Sequence, residues 1–450
     1  MPETSPESGD FTRPARSCWR WGAAVGLAAL IWFLVGLPSE PHFVDESAYI
    51  SQSFYADLAL RGDVQSAAWL DYPAYDLPPL PKYLIGGALA LGGYDRPGME
   101  AARQWYRNTA SRFEPPGALE TARVPSAILG ALGCVAVYGL GLLLRDVKTG
   151  VAASLLLMAN PLYRVHARRA MSDVPAEAFV LLGLWAGLWF WREALEGRLK
   201  PATWAAAVGS GVAAGLATLC KFNGALAMIV LLGWAAIAAE LREFPLLRRV
   251  CGFVSVLVAG AASLATFGLL NPFITAHPRG PLQPEIAALA RLDVLQRCRL
   301  LVRHRVEVST GQQRLFSHNA VVTPSEKVRV TAVQGFGRFG PWGPLHDDST
   351  RRYDVGQDRG ALIWIPWVAV GACWAWFRGR EQRRAGLAPT AWAILAQAVL
   401  ALAIVTAYLP LAWNRYFLSI QAGSALLAAG VAVAAGEQTA SRIRSAWRGN

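Results

Sequence analysis

Long runs of Ala, Leu, Val and Gly alternate along the chain with short polar segments rich in Arg. Ten runs, at roughly 19–37, 123–144, 150–166, 174–191, 202–220, 223–239, 250–270, 361–377, 388–409 and 417–435, read as helices crossing a hydrocarbon core of roughly 30 Å. An eleventh stretch, LPPLPKYLIGGALALGGY (Leu77–Tyr94), is also apolar but opens with three prolines and Lys82. That leaves a helix of about 14 residues, or roughly 20 Å at 1.5 Å per residue, too short to cross comfortably. The pattern predicts an all-α polytopic membrane protein with about ten transmembrane helices and Leu77–Tyr94 lying at the surface.

Charge decides the topology. The net charge of +12 comes mostly from Arg in short loops, where cytoplasmic retention accounts for it and nucleic acid is set aside as a partner. With Leu77–Tyr94 outside the membrane, nearly every basic cluster falls on the side of the amino terminus. These are Arg13/Arg16/Arg20, Arg145/Lys148, Arg192/Arg198/Lys200, Arg242/Arg248/Arg249, Arg378/Arg380/Arg383/Arg384 and Arg442/Arg444/Arg448. Counting Leu77–Tyr94 as a span would scatter them. Both termini are therefore expected in the cytoplasm of a multi-pass cell-membrane protein. The first apolar run ends in GLPSEP with no small-residue cleavage pattern, which predicts a retained anchor.

Two long outer segments follow from this topology, 38–122 and 271–360. Ile50, Phe54 and Leu58 recur at helical spacing in the first, and Ala287–Val306 reads as a basic amphipathic helix in the second. QGFGRFGPWG (Gln334–Gly343) reads as a loop because of its glycines, with Trp342 a weak sugar platform. The six Cys occur singly, without disulfide or metal spacing. All six His fall on the outer side. His42 with Asp45, or His346 with Asp347 and Asp348, could hold a metal, but solvated loop histidines explain them as well.

Several charges run against the bias. Arg164, Arg168 and Arg169 occupy the short outer loop YRVHARRAMSD, Arg123 opens a span, Lys221 sits at a turn between two spans, and Arg415 lies in LAWNRYF. An ionisable group near the bilayer centre costs on the order of 2.5 to 3.5 kcal/mol, so these cations call for anionic partners. Phosphate is one, and a polyprenyl-phosphate carrier would bring it to this depth for Arg to hold through paired hydrogen bonds. FVDESAYIS (Phe43–Ser51) sets Asp45 and Glu46 at the same boundary. Attack by a hydroxyl on a sugar carbon linked to phosphate needs a base, and Asp45 suits that role. Other readings stay open: Asp45 as a helix N-cap, Glu46 as a first-turn residue, Asp173 as an N-cap, Lys221 snorkelling, and Arg164 and Arg168 on lipid head groups.

The acidic pair together with YDLPPLPKYLIGGALALGGYD (Tyr75–Asp95), ARVPSAILG (Ala122–Gly130), RRAMSD (Arg168–Asp173) and GLATLCKFNG (Gly215–Gly224) resembles the dolichyl- or polyprenyl-phosphate-mannose protein mannosyltransferases. It resembles, more loosely, the lipid A aminoarabinose transferases. The resemblance implies a GT-C fold, a polyprenyl-phosphate sugar donor (mannose foremost), inverting transfer to a hydroxyl on protein, lipid or glycan, and an active site on the outer face. It implies Asp45 as catalytic carboxylate and Glu46 as its acidic neighbour. Arg123 would contact the donor phosphate, while Lys82, Asp173 and Lys221 match further family positions; Arg169 and Arg415 join the pool of substrate-binding residues. A histidine usual before the double proline is Leu77 here, which bears on the acceptor. No resident metal is assigned, though a divalent ion stays open. The implied organisation is a cytoplasmic tail (1–18), a catalytic module (19–270) containing the outer loop 38–122, a large outer loop (271–360), C-terminal membrane helices (361–435) and a second tail (436–450). The alternatives are a transporter or lipid-linked sugar flippase, and a non-catalytic assembly factor. Carriers keep coupling charges near the midplane, whereas these carboxylates gather at one boundary.

Overall fold

A computed structural model describes residues 16–108, 114–337 and 360–448. Fifteen helices carry the architecture: α1 (Arg16–Val35), α2 (Val44–Ser51), α3 (Pro79–Leu91), α4 (Pro116–Leu144), α5 (Val147–Ala159), α6 (Pro161–Ala167), α7 (Asp173–Leu195), α8 (Pro201–Cys220), α9 (Leu226–Glu240), α10 (Leu246–Leu269), α11 (Val294–Leu315), α12 (Pro324–Phe336), α13 (Gly360–Arg384), α14 (Thr390–Tyr408) and α15 (Leu418–Arg448). Short helical turns fill the connections. Among the described residues no strand forms, only an isolated bridge between Ala320 and Leu411.

Nine helical stretches among the described residues are long and apolar enough to cross a membrane, and they match nine of the ten expected runs. The tenth run, 150–166, is interrupted. Asn160 takes an extended backbone, and its side-chain oxygen accepts from the amides of Leu162 and Tyr163, capping a new helix that starts with Pro161. The result is a 13-residue α5 of about 20 Å followed by the short α6. Leu77–Tyr94 forms the 13-residue α3, close to the length read from the sequence.

Helices α4, α7 and α15 are mostly buried at the centre, whereas α10 and α13 expose most of their apolar surface at the perimeter. Close crossings use glycine. A Cβ on Gly141 of α4 would come within 2.6 Å of the Gly150 Cα on α5, so the two backbones could not otherwise touch. Buried tryptophans keep their indole N–H groups paired: Trp191 donates to the Trp234 carbonyl and Trp234 to the Ala393 carbonyl, tying α7, α9 and α14 together.

The two ends of the bundle differ in chemistry. One end carries the basic loops, with Lys148 on Glu437, Arg198 on Glu193 and Arg383 on Glu243. The other carries both long segments. There the expected Ile50–Phe54–Leu58 helix is split into α2 and a short helix at Tyr55–Leu60, with Ile50 and Leu58 buried. The expected Ala287–Val306 helix is also split. Asp293 starts α11 afresh, accepting from the Gln296 amide while its own amide donates to the Gln296 side chain. Gln334–Phe336 close α12 instead of forming a loop. Residues 338–343, including Trp342, and His346, Asp347 and Asp348 lie outside the described residues.

Candidate active site

The sequence neighbours Asp45 and Glu46 serve different partners. At the start of α2 the Phe43 amide donates to Glu46 Oε2 at 2.9 Å, turning Glu46 inward. There Arg123 Nε and Nη2 each donate to it at 2.8 Å, and the Ala170 amide reaches Oε1 at 2.8 Å. The remaining Arg123 N–H groups go to the carbonyls of Leu37, Glu40 and Pro41. Both side chains are buried, so all five guanidinium donors serve to fasten the chain leaving α1 onto α4. Arg169 is fastened alongside, pairing with Glu40 at 3.1 Å and lying 4.6 Å over the Phe43 ring. Burial pushes the Glu40 carboxyl above its ordinary range, against the pull of Arg169.

Asp45 faces the other way and keeps 24% of its side chain exposed. Arg415 Nη1 donates to its Oδ2 at 2.6 Å, with the guanidinium 4.6 Å from the Trp413 ring. Next to this pair Lys221 donates to Asp173 at 2.6 Å and lies 5.7 Å from the Tyr416 ring. His166 stands 4.0 Å from Asp173 and contacts Asn414 at 3.3 Å. The segment Asn414–Tyr416 thus interleaves the two ion pairs, and Asp173 is near enough to Arg415 for their charges to interact. Tyr49 of α2 donates to Ser172 at 2.8 Å, joining the Asp45 helix to the start of α7.

A third cation was not singled out from the sequence. Arg305 of α11 donates to the Asp76 carbonyl at 3.0 Å and lies 5.7 Å from the Phe222 ring, beside Lys221, whose charge it feels. The Asp76 carboxylate takes the Tyr106 hydroxyl at 2.6 Å and His304 at 3.3 Å. Burial works to raise its pKa, but the hydrogen bonds from His304 and Tyr106 and the charge of Arg305 hold it below the usual range. The signal for Arg305 was its helical phase: Arg297, Leu301, His304 and Arg305 share one face of α11.

Lys82 is placed elsewhere than the rest of the expected pool. Its ammonium is buried, donates to the Pro73 carbonyl at 2.6 Å and sits 4.9 Å over the Tyr55 ring. Burial, opposed by Asp76, brings its pKa down to about 7. The structure therefore groups Asp45, Asp173, Lys221 and Arg415 with Arg305 around one polar centre, with Glu46, Arg123 and Arg169 in the buried layer beside it.

Among the described residues no three His, Cys, Asp or Glu side chains cluster for a metal, and Asp45, Glu46 and Asp173 are each engaged by a cation.

Residues 71–266 match the family model of the dolichyl-phosphate-mannose-protein mannosyltransferases, so Asp45 and Glu46 lie ahead of the matched stretch. Comparison with curated proteins gave no match. Among solved structures the chain is similar to the oligosaccharyltransferase AglB of the archaeon Archaeoglobus fulgidus in complex with an inhibitory peptide and a dolichol-phosphate. Identity is 15%, TM-score 0.55, and the similarity covers 97% of this chain and 52% of that one. The apo form of the Archaeoglobus fulgidus oligosaccharyltransferase gives 15% identity, TM-score 0.52 and coverages of 92% and 50%. Its complex with Zn and sulfate gives 15%, 0.50, and 90% and 48%. The chain spans about half the length of the oligosaccharyltransferase it matches. These likenesses establish the fold: the chain has the polytopic helical GT-C architecture expected from its motifs.

Proposed function

We propose that this protein is an integral-membrane glycosyltransferase that moves a sugar, mannose foremost, from a polyprenyl phosphate to a hydroxyl acceptor. The observation that carries the reading is the partly exposed Asp45 carboxylate gathered with Arg415, Lys221 and Arg305 at the loop-rich end of the bundle. The family match over residues 71–266 and the dolichol-phosphate bound by the archaeal relative support it.

Asp45 Oδ1 accepts the proton as the acceptor oxygen bonds to the anomeric carbon. The bond from that carbon to the phosphate oxygen breaks in the same displacement, inverting the centre. The departing phosphate carries developing negative charge, which Arg415, Lys221 and Arg305 stabilise through fixed donors. In the resting protein Asp45 and Asp173 hold Arg415 and Lys221 in place, and the arriving phosphate takes up their remaining N–H groups. Glu46, Arg123 and Arg169 act as buried fasteners that aim α2, and Lys82 holds the loop at Pro73. The basic loops at the opposite end support a cytoplasmic placement of that end, and hence of both termini, with the site on the outer face.

The test is transfer from polyprenyl-phosphate mannose to candidate hydroxyl acceptors by purified protein in detergent, with and without chelator. Detergent leaves no second compartment, so product formation separates a transferase from a transporter or flippase. Asp45→Asn protein that is folded and fully active would remove the proposed base.

A further inference from the structure

Helix α11 lies across the site-bearing end of the bundle, and both of its ends are pinned to it. Near its start Arg297, itself buried, donates to the carbonyls of Phe273, Ile274 and Ala276, in the turn that follows α10. Near its finish Gln313 donates to the Pro410 carbonyl, just past the end of α14. Both anchors sit where a membrane-length helix leaves its apolar stretch, so the axis of this 22-residue helix, about 33 Å long, runs along the boundary.

The face that points away from the site is amphipathic in an unusual way. Leu295, Val302 and Val306 form a stripe at helical spacing and are 59%, 64% and 61% exposed. Arg299 and Arg303 lie beside that stripe; among the described residues Arg303 meets only the neighbouring Glu307, at 3.5 Å, and no acid pairs with Arg299. We propose that this face is a docking surface for anionic phospholipid, which seats α11 in the head-group layer. A lipid surface takes up both halves of the pattern: the aliphatic stripe enters the acyl boundary and the arginines meet lipid phosphate. An acidic peptide would satisfy the arginines and leave the three aliphatic side chains in water. The proposal concerns an interaction surface and stands apart from the transferase reading.

The experiment compares amide hydrogen exchange over residues 294–315 of the full-length protein in nanodiscs of phosphatidylcholine alone and of phosphatidylcholine with phosphatidylglycerol. Exchange in α11 is expected to slow with phosphatidylglycerol, each arginine accounting for about a fivefold change. The Arg299→Glu/Arg303→Glu variant should lose the difference, while Arg299→Lys/Arg303→Lys should keep most of it. Equal exchange of the natural protein in the two discs overturns the proposal, which holds even if a variant misfolds. So does a difference that survives charge reversal in folded protein. Protection conferred by soluble polyglutamate in phosphatidylcholine discs, with none from phosphatidylglycerol, assigns the face to an acidic peptide and also overturns it.

Discussion

Arg123 meets Glu46 across 77 residues of sequence with two parallel hydrogen bonds of 2.8 Å, in a place where neither side chain touches solvent. Such a pair is costly to break from one side because the survivor is left charged and buried. Arg123→Ala or Glu46→Ala should therefore destabilise the folded protein by about 3–5 kcal/mol. Thermal unfolding in detergent checks this. A variant with an unchanged midpoint and lost activity would instead make the pair a direct participant in the reaction.

Asp45→Asn should behave in the opposite manner. Its side chain keeps 24% exposure and Asn preserves its shape and an acceptor oxygen for Arg415, so the loss of stability should be well below that for breaking the Arg123–Glu46 pair. Transfer should fall by about 10²–10⁴-fold, the usual worth of a positioned base. Steady-state rates with matched unfolding curves give the comparison.

Arg415→Gln should lower kcat/KM about 10- to 100-fold, the worth of a charged hydrogen bond to phosphate. Arg415→Lys should recover part of it, since the charge returns but the planar fork does not. If kcat is unaffected and only KM rises, Arg415 binds donor without stabilising the departing phosphate.

Lys82 gives the fold a pH dependence. The folded protein releases the Lys82 proton near pH 7, whereas an unfolded chain keeps it to about 10.4. Between those values the unfolded state binds more protons, so stability should rise with pH across that window. Lys82→Met should remove this slope, whatever it does to the absolute midpoint. Parallel pH profiles for the two proteins between pH 7 and 10 would contradict the buried ammonium.

Membrane helices were readable from the chain because a continuous apolar run of span length has few other fates, and Leu77–Tyr94 was readable as short because Pro78, Pro79 and Pro81 shorten it. The breaks were local and still missed. Asn160 before Pro161, and Asp293 with Gln296 three residues on, are capping signals overridden by the hydrophobic count around them. At the site, residue types announced charge but not partner. Arg123 and Arg415 look alike as cations against the bias, yet one is surrounded by loop carbonyls and the other by an accessible carboxylate. Arg305 stayed hidden because its partner Asp76 lies 229 residues away, a contact made only by the packing of two outer segments.

The break at Asn160 bears on the bilayer itself. Helix α5 is about 10 Å shorter than a typical hydrocarbon core, and Leu155 and Leu156 on its flank are open to lipid. A bilayer meeting that flank would accommodate the shortfall by thinning locally or by Arg164 and Arg168 snorkelling to the head groups. Where it thins, lipid phosphates on that side would lie deeper than in the bulk leaflet, within the chain's reach without being hauled outward into water.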